Sequence, residues 1–246
     1  MSVLAWVLLF CGTWPAWGAE PTVWGLEVDV ASLAKVPLMG KVHILTRSLL
    51  RATLTETETG LVQQQQLCEV HVEDDVRISQ TFIPQSFVRS MPPVTYPARI
   101  DPETGAYFAD PGGYVVGYDA SLSPDAVPKK KNDPAVIDSD HDGHPGATVI
   151  LKVPLFGRVD LYIAQRGHQQ FVGKLVDGKI RGEIVIIETL MNTLGASNRL
   201  FAMQSNSDVR PSFSGFRMEP IDVSWGCSQL IKGWVYEPSA WTEGGK

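Results

Sequence analysis

The chain has 246 residues, 44% of them hydrophobic and 20% charged, a balance that argues against a disordered or fibrous protein and leaves enough apolar surface for a core. With 21 basic and 27 acidic side chains the net charge is -6, which argues against a nucleic-acid partner, since phosphate binding needs a basic face.

Taken in chain order, Met1–Ala19 carries no Asp, Glu, Lys or Arg, and its apolar run Val3–Phe10 gives way to Thr13-Trp14-Pro15 and then Ala16-Trp17-Gly18. Small residues at both positions before a cut after Gly18 read as a cleaved signal peptide over 1–18. A membrane anchor needs about 20 apolar residues, and Thr13, Pro15 and Gly18 interrupt this run too early. No later stretch is long enough to span a bilayer. The expectation is a secreted or periplasmic protein whose mature part, 19–246, is a single β-rich domain. Cleavage removes Cys11 and leaves Cys68 and Cys227, which in an oxidising compartment form one disulfide.

From Val42 the chain alternates, with Val42, Ile44, Leu50, Ala52 and Leu54 on one side and Lys41, His43, Arg47 and Arg51 on the other. The polar turn Thr55–Gly60 leads into a second strand with Val62, Cys68, Val70 and Val72 on one face and Glu69, His71 and Glu73 on the other, so the two form a long hairpin. Gln64 and Gln66 share the face of Val62 and Cys68. They face a ligand unless a bulge shifts the register.

Residues 96–146 are rich in Pro, Asp and Gly and read as a long irregular insertion. Beyond them lie strands at Thr148–Val153, Arg158–Gln165, Gln169–Val176 and Lys179–Glu188. They are separated by 154–157, by Arg166-Gly167-His168 and by Asp177-Gly178, a strong hairpin signal. A last strand is expected with Ile221, Val223, Trp225 and Cys227 on one face. Short helices are expected only around Leu33–Met39 and Glu188–Leu194. Trp234, Tyr236 and Trp241 form an aromatic tail that either folds back over the core or stacks on sugar or lipid.

The fold class is therefore mainly β, an antiparallel barrel or sandwich. A Cys68–Cys227 bond would join an early strand to a late one, as a closing barrel requires. The architecture resembles the up-and-down barrels of the lipocalins. Their Gly-x-Trp motif is not matched, because Val23-Trp24-Gly25 runs in the wrong order.

One motif carries chemistry. Asp138-Ser139-Asp140-His141-Asp142-Gly143 places alternate carboxylates toward one centre, and such hard oxygen donors suit calcium. The loop resembles those of EF-hands, dockerins and thrombospondin type 3 repeats. That resemblance implies carboxylate ligands from Asp138, Asp140 and Asp142 and a backbone carbonyl from His144. The bidentate Glu of an EF-hand would fall at Val149, so that ligand is missing or comes from elsewhere, with Asp133 and Asp125 as candidates. Zinc at His141 and His144 is disfavoured, since Gly143 and Pro145 forbid the helix that would align them.

No motif for a catalytic nucleophile, phosphate loop or zinc helix is present, so no catalytic residue is assigned. The leading reading is an exported, non-catalytic barrel that binds a small apolar or amphiphilic molecule and carries a structural calcium loop. The alternatives are a secreted hydrolase of unfamiliar type and a surface module that meets a protein or glycan. An enclosed apolar cavity would favour the first, and a filled core the last.

Overall fold

The computed structural model describes residues 21–36, 40–75, 80–203, 206–238 and 241. The expected signal peptide over 1–18, with Cys11, lies outside them. Twelve strands form one antiparallel sheet that closes on itself. They are β1 (Thr22–Val36), β2 (Gly40–Thr57), β3 (Gly60–Asp74), β4 (Gln80–Phe82), β5 (Val94–Ile100), β6 (Ala106–Ala109), β7 (Gly113–Val116), β8 (Ala147–Val153), β9 (Gly157–Val176), β10 (Lys179–Ala196), β11 (Asn206–Val209) and β12 (Gly215–Pro220). Two short helices complete the set, α1 (Gln85–Ser90) and α2 (Cys227–Gly233).

The ring closes in two ways. β12, β1, β2 and β3 continue through β5 and β6 to β9, β10 and back to β12; the same frame also continues from β3 through β4 and β8 to β9. This works because β3 and β9 are long. The start of β3 pairs with β5, from Leu61↔Ala98 to Gln65↔Val94, and its end reaches β4 at His71↔Phe82. β9 likewise pairs with β8 along Gly157–Ile163 and with β6 along Phe171–Lys174. α1 connects β4 to β5 and packs Phe87 against Val116, Ala147 and Ile163.

Several local expectations are corrected. Arg166-Gly167-His168 does not separate two strands, because β9 runs through it without a break. Gly167 is needed there because the Tyr114 ring lies over it; a Cβ would sit 2.6 Å from that ring. The two stretches read as helices are strand instead. Leu33–Val36 ends β1, with 37–39 outside the described residues, and Glu188–Leu194 lies in β10. Both are held by long partner strands, and bulges at 187 and 194 in β10 break the alternation that would have shown it.

No strand runs from Ile221 to Cys227. Asp222 accepts hydrogen bonds from the Ser224 backbone N–H (2.8 Å) and hydroxyl (2.6 Å), folding a turn that leads into α2. The irregular insertion is narrower than 96–146, since the start of that range supplies most of β5 together with β6 and β7. These strands are too short for periodicity to show.

The two hairpin turns are where expected. Asp177 (φ 50°) and Gly178 (φ 74°) make a two-residue turn with both residues left-handed, so β9 runs into β10 at Val176↔Lys179.

Candidate functional site

In the acidic loop, one carboxylate oxygen from each of Asp138, Asp140 and Asp142 lies within 4.8 Å of the others. The backbone builds this approach. Asp138 accepts from the N–H groups of Asp142 (3.1 Å) and Gly143 (2.8 Å), and the chain turns through Gly143 at φ 86°. Asp142 accepts from His144 N–H (2.9 Å) and from the Thr148 hydroxyl (2.5 Å), while Asp140 accepts from Thr148 N–H (3.0 Å). Thr148 is the second residue of β8, so the loop is fastened to the ring wall.

Asp140 is 6% exposed, and its Oδ1 is buried without a hydrogen-bond partner. Burial pushes its carboxyl above the usual range against the Thr148 N–H, and the neighbouring charges of Asp142 and Asp138 push the same way. Three carboxylates converging on an orphaned buried oxygen fit a bound cation.

The other candidate carboxylates, Asp133 and Asp125, do not join the group. Val149 is on β8, one residue beyond Thr148, and packs with Phe87 and Ile163. Asp133 accepts from Ala135 N–H (3.0 Å) in its own turn, and Asp125 is exposed. The His144 ring stacks on Tyr162 at 4.5 Å, and His141 is exposed at φ 58°. The loop also ends the segment 117–146, which covers the outer side of β9. Tyr118 and Val127 pack on Tyr162, Ala164 and Leu194, and Arg166 donates to the Pro124 carbonyl (2.6 Å).

Directly opposed residues of an antiparallel pair share a face, so the register identifies the side chains that point into the ring. In the half closed by β5 and β6 most are sealed: Leu26, Ile180 and Met218 are at 0% exposure, with Tyr107 and Phe171 hardly higher, while Leu61, Ile100 and Leu175 are part-buried. This half is a filled core. A relay of hydrogen bonds crosses it, with Tyr107 donating to Gln63 Oε1 (2.7 Å), Gln63 Nε2 to Tyr96 Oη (2.6 Å), and Tyr96 Oη to Gln65 Oε1 (2.6 Å). Burial pushes both phenols up and keeps them protonated.

The inward glutamines are thus Gln63 and Gln65, whereas Gln64 and Gln66 are exposed on the outer face. The reason is a bulge at Cys68: Leu50 opposes Leu67 while Leu49 opposes Glu69. After the bulge, Val70 and Val72 take over the inward face.

The half closed by β4 and β8 differs. Its inward residues are mixed: Val42, Ala147, Val159 and Ile163 are buried, Val30, Ile44, Val70, Val72, Val149, Leu161 and Ile186 are part-buried, and Met191 is 39% exposed. Val30, Leu67, Val94 and Ile186 rest on the sealed core, and Leu161 and Val149 flank the α1 cluster. This half thus carries part-buried apolar side chains on its inner face beside the exposed Thr189 and Met191, with the α1 cluster packed on part of that face. Two depressions lie at the surface, one at Lys174–Arg181 beside the β9–β10 turn and one between α1 and the acidic loop.

The outer face of β1, β2 and β12 is covered by the C-terminal segment, as a tail folding back requires. Cys68 and Cys227 form a disulfide, but it joins the β3 bulge to the first residue of α2 rather than one strand to another. Leu49 and Leu230 complete this outer cluster. Glu27, 3% exposed, pairs with Arg217 (2.7 Å) and Arg47 (3.4 Å) beneath the tail and accepts from Trp234 Nε1 (2.5 Å). The tail continues over this cluster, with Glu237 held by Arg181 at 2.7 Å, Tyr236 beside Arg47, and Trp241 against His43 and Phe213. Asp29 lies at its edge, 4.0 Å from Arg47, with a buried Oδ1 that has no hydrogen-bond partner. Burial pushes its carboxyl up to about 7 against the pull of Arg47, aided by Glu27 and Glu73.

The three strand histidines each meet a carboxylate: His43 with Asp75, His71 with Glu73, and His168 with Asp110. No helix among the described residues is long and apolar enough to cross a membrane.

Fold and site together define a closed antiparallel β-ring with an acidic loop able to hold a cation. No family model matches the chain, and no curated protein sequence matches it either. Among solved structures, the chain is similar to DynF from the dynemicin biosynthesis pathway of Micromonospora chersina at 10% identity, over 81% of each chain, with a TM-score of 0.24. That likeness is too slight to transfer a fold or a function.

Proposed function

We propose that this is an exported, non-catalytic binding protein that holds a small apolar or amphiphilic molecule in the open half of its ring. The observation that carries this reading is the patch of part-buried apolar side chains, Val30, Ile44, Val70, Val72, Leu161 and Ile186, that face inward in the half closed by β4 and β8, beside the exposed Met191. Accessible apolar surface inside a rigid wall is what a small-molecule site needs. A calcium ion in the Asp138–Asp142 loop braces 117–146 against the outside of the β9 wall, so the metal is structural. Export is supported by the uncharged N-terminus and the disulfide.

The test is titration with Nile red, a neutral dye whose emission brightens and shifts to the blue in apolar surroundings. The wild type is expected to bind it saturably. Leu161→Trp fills the open half and is expected to weaken dye binding about tenfold while keeping the melting temperature. In a packed interior the added bulk would instead cost about 1–3 kcal/mol. A wild type that binds no dye, or a Leu161→Trp variant that unfolds early and still binds it, contradicts the reading.

A further inference from the structure

Resting on that reading, we infer that the ligand is an uncharged apolar molecule carrying an oxygen acceptor, a carbonyl or hydroxyl, which is held by the side-chain amide of Gln65. Two independent observations lead here.

The first is the absence of charge on the inner wall. In this half the inward polar positions, among them Ser32, Thr46, Ser48, Gln165, Thr189 and Thr193, carry hydroxyls or amides. The charged residues of the same strands fall on the opposite face: Arg47, Glu69 and Glu73 toward the tail, and Arg158, Asp160 and Arg166 on the outside of β9. The exception is Asp74, opposite Ile44 at the last position of β3, which places it on the rim. An ionised ligand group drawn into this half would lose its water with no counter-ion on the wall to replace it.

The second is the direction of the buried relay. Tyr107, Gln63 and Tyr96 each donate to the next member, and the last acceptor is Gln65 Oε1. With its oxygen engaged, Gln65 presents only its amide N–H groups, for which no hydrogen bond is found among the described residues, and the residue is part-exposed at the floor of the open half beside Val94 and Leu67. A chain of bonds aligned in one sense polarises its terminal group, so Gln65 Nε2 is a strengthened donor beside the apolar Val94 and Leu67. Its natural complement is a neutral acceptor oxygen, which satisfies the donor without introducing a charge.

The test is displacement of Nile red by dodecanol, dodecanoate and dodecane at about pH 8, where the carboxylate is ionised. Dodecanol is expected to displace the dye at about tenfold lower concentration than either of the others. In Gln65→Leu its advantage over dodecane is expected to disappear. Dodecanoate as effective as dodecanol overturns the inference, and so does a Gln65→Leu variant that binds the dye and keeps the preference for dodecanol. The wild-type comparison decides the matter even if Gln65→Leu fails to fold. Either overturning result leaves dye binding by the wild type intact, whereas failure of the binding reading itself removes dye binding altogether.

Discussion

At the scale of single residues, the chemistry is concentrated in a few carboxylates that cannot all be charged at no cost. Asp140 is the sharpest case in the acidic loop, because its buried Oδ1 has no protein partner and two like charges stand beside it. Lacking the twelfth-position Glu, the proposed calcium site should bind at about 10⁻⁴–10⁻³ M. At about ten times that constant, calcium adds about 1.4 kcal/mol, or a rise of roughly 3–5 °C in Tm. Asp140→Asn retains an oxygen for the Thr148 N–H, so its calcium-free Tm should stay near that of the wild type while the calcium-dependent rise is lost. Thermal melts with chelator and with millimolar calcium check this. Asp29 makes a second prediction. Its carboxyl ordinarily titrates near 3.8 and is pushed up to about 7 here, so the folded protein binds the extra proton between those values. Stability must then fall as pH rises from about 4 to about 7, and level off above. Asp29→Asn should match the wild type near the acid end and exceed it above neutrality, by at most about 4 kcal/mol on the conversion of 1.36 kcal/mol per unit. Urea melts across that range should show the two curves diverging.

At the scale of elements, the disulfide fastens a short helix and its tail to the outside of the ring. Its partners are 159 residues apart, and the chain-entropy treatment gives about 5 kcal/mol as an upper value. Cys68→Ser should therefore lower Tm by roughly 10 °C under oxidising conditions and scarcely at all once reductant has opened the wild-type bond. Differential scanning fluorimetry with and without reductant measures both. The same region shows what could be read from the sequence. The pairing of the cysteines was legible, as was the β2–β3 hairpin, because each rests on composition or on a clean alternation. The place of Cys227 was not, since a turn anchored by Asp222 ends the alternating run before the helix starts. The bulge at Cys68 reversed the faces of Gln63–Gln66, and no local pattern in a run of identical glutamines shows where an extra residue is absorbed. Gly167 looked like punctuation because the ring that needs its missing side chain, that of Tyr114, is over 50 positions away along the chain.

At the scale of the whole molecule, the ring is braced from outside on two sides. The tail covers β1, β2 and β12 over a buried ion cluster, and the segment 117–146 backs β9 with the acidic loop as its clasp. The acidic cluster of the candidate site was legible because three alternating aspartates before a glycine are local in sequence. The inward face of the half closed by β4 and β8 was not, because it forms only where eight strands from both ends of the chain are brought into register. That this half admits a small molecule is the central proposal. A crystal structure of the protein soaked with a bromine-tagged dodecanol tests it most directly. An anomalous bromine peak inside the ring, among Val72, Leu161 and Ile186, is the predicted result. If those three side chains instead pack against one another and bromine appears only on the outer surface, the account is contradicted.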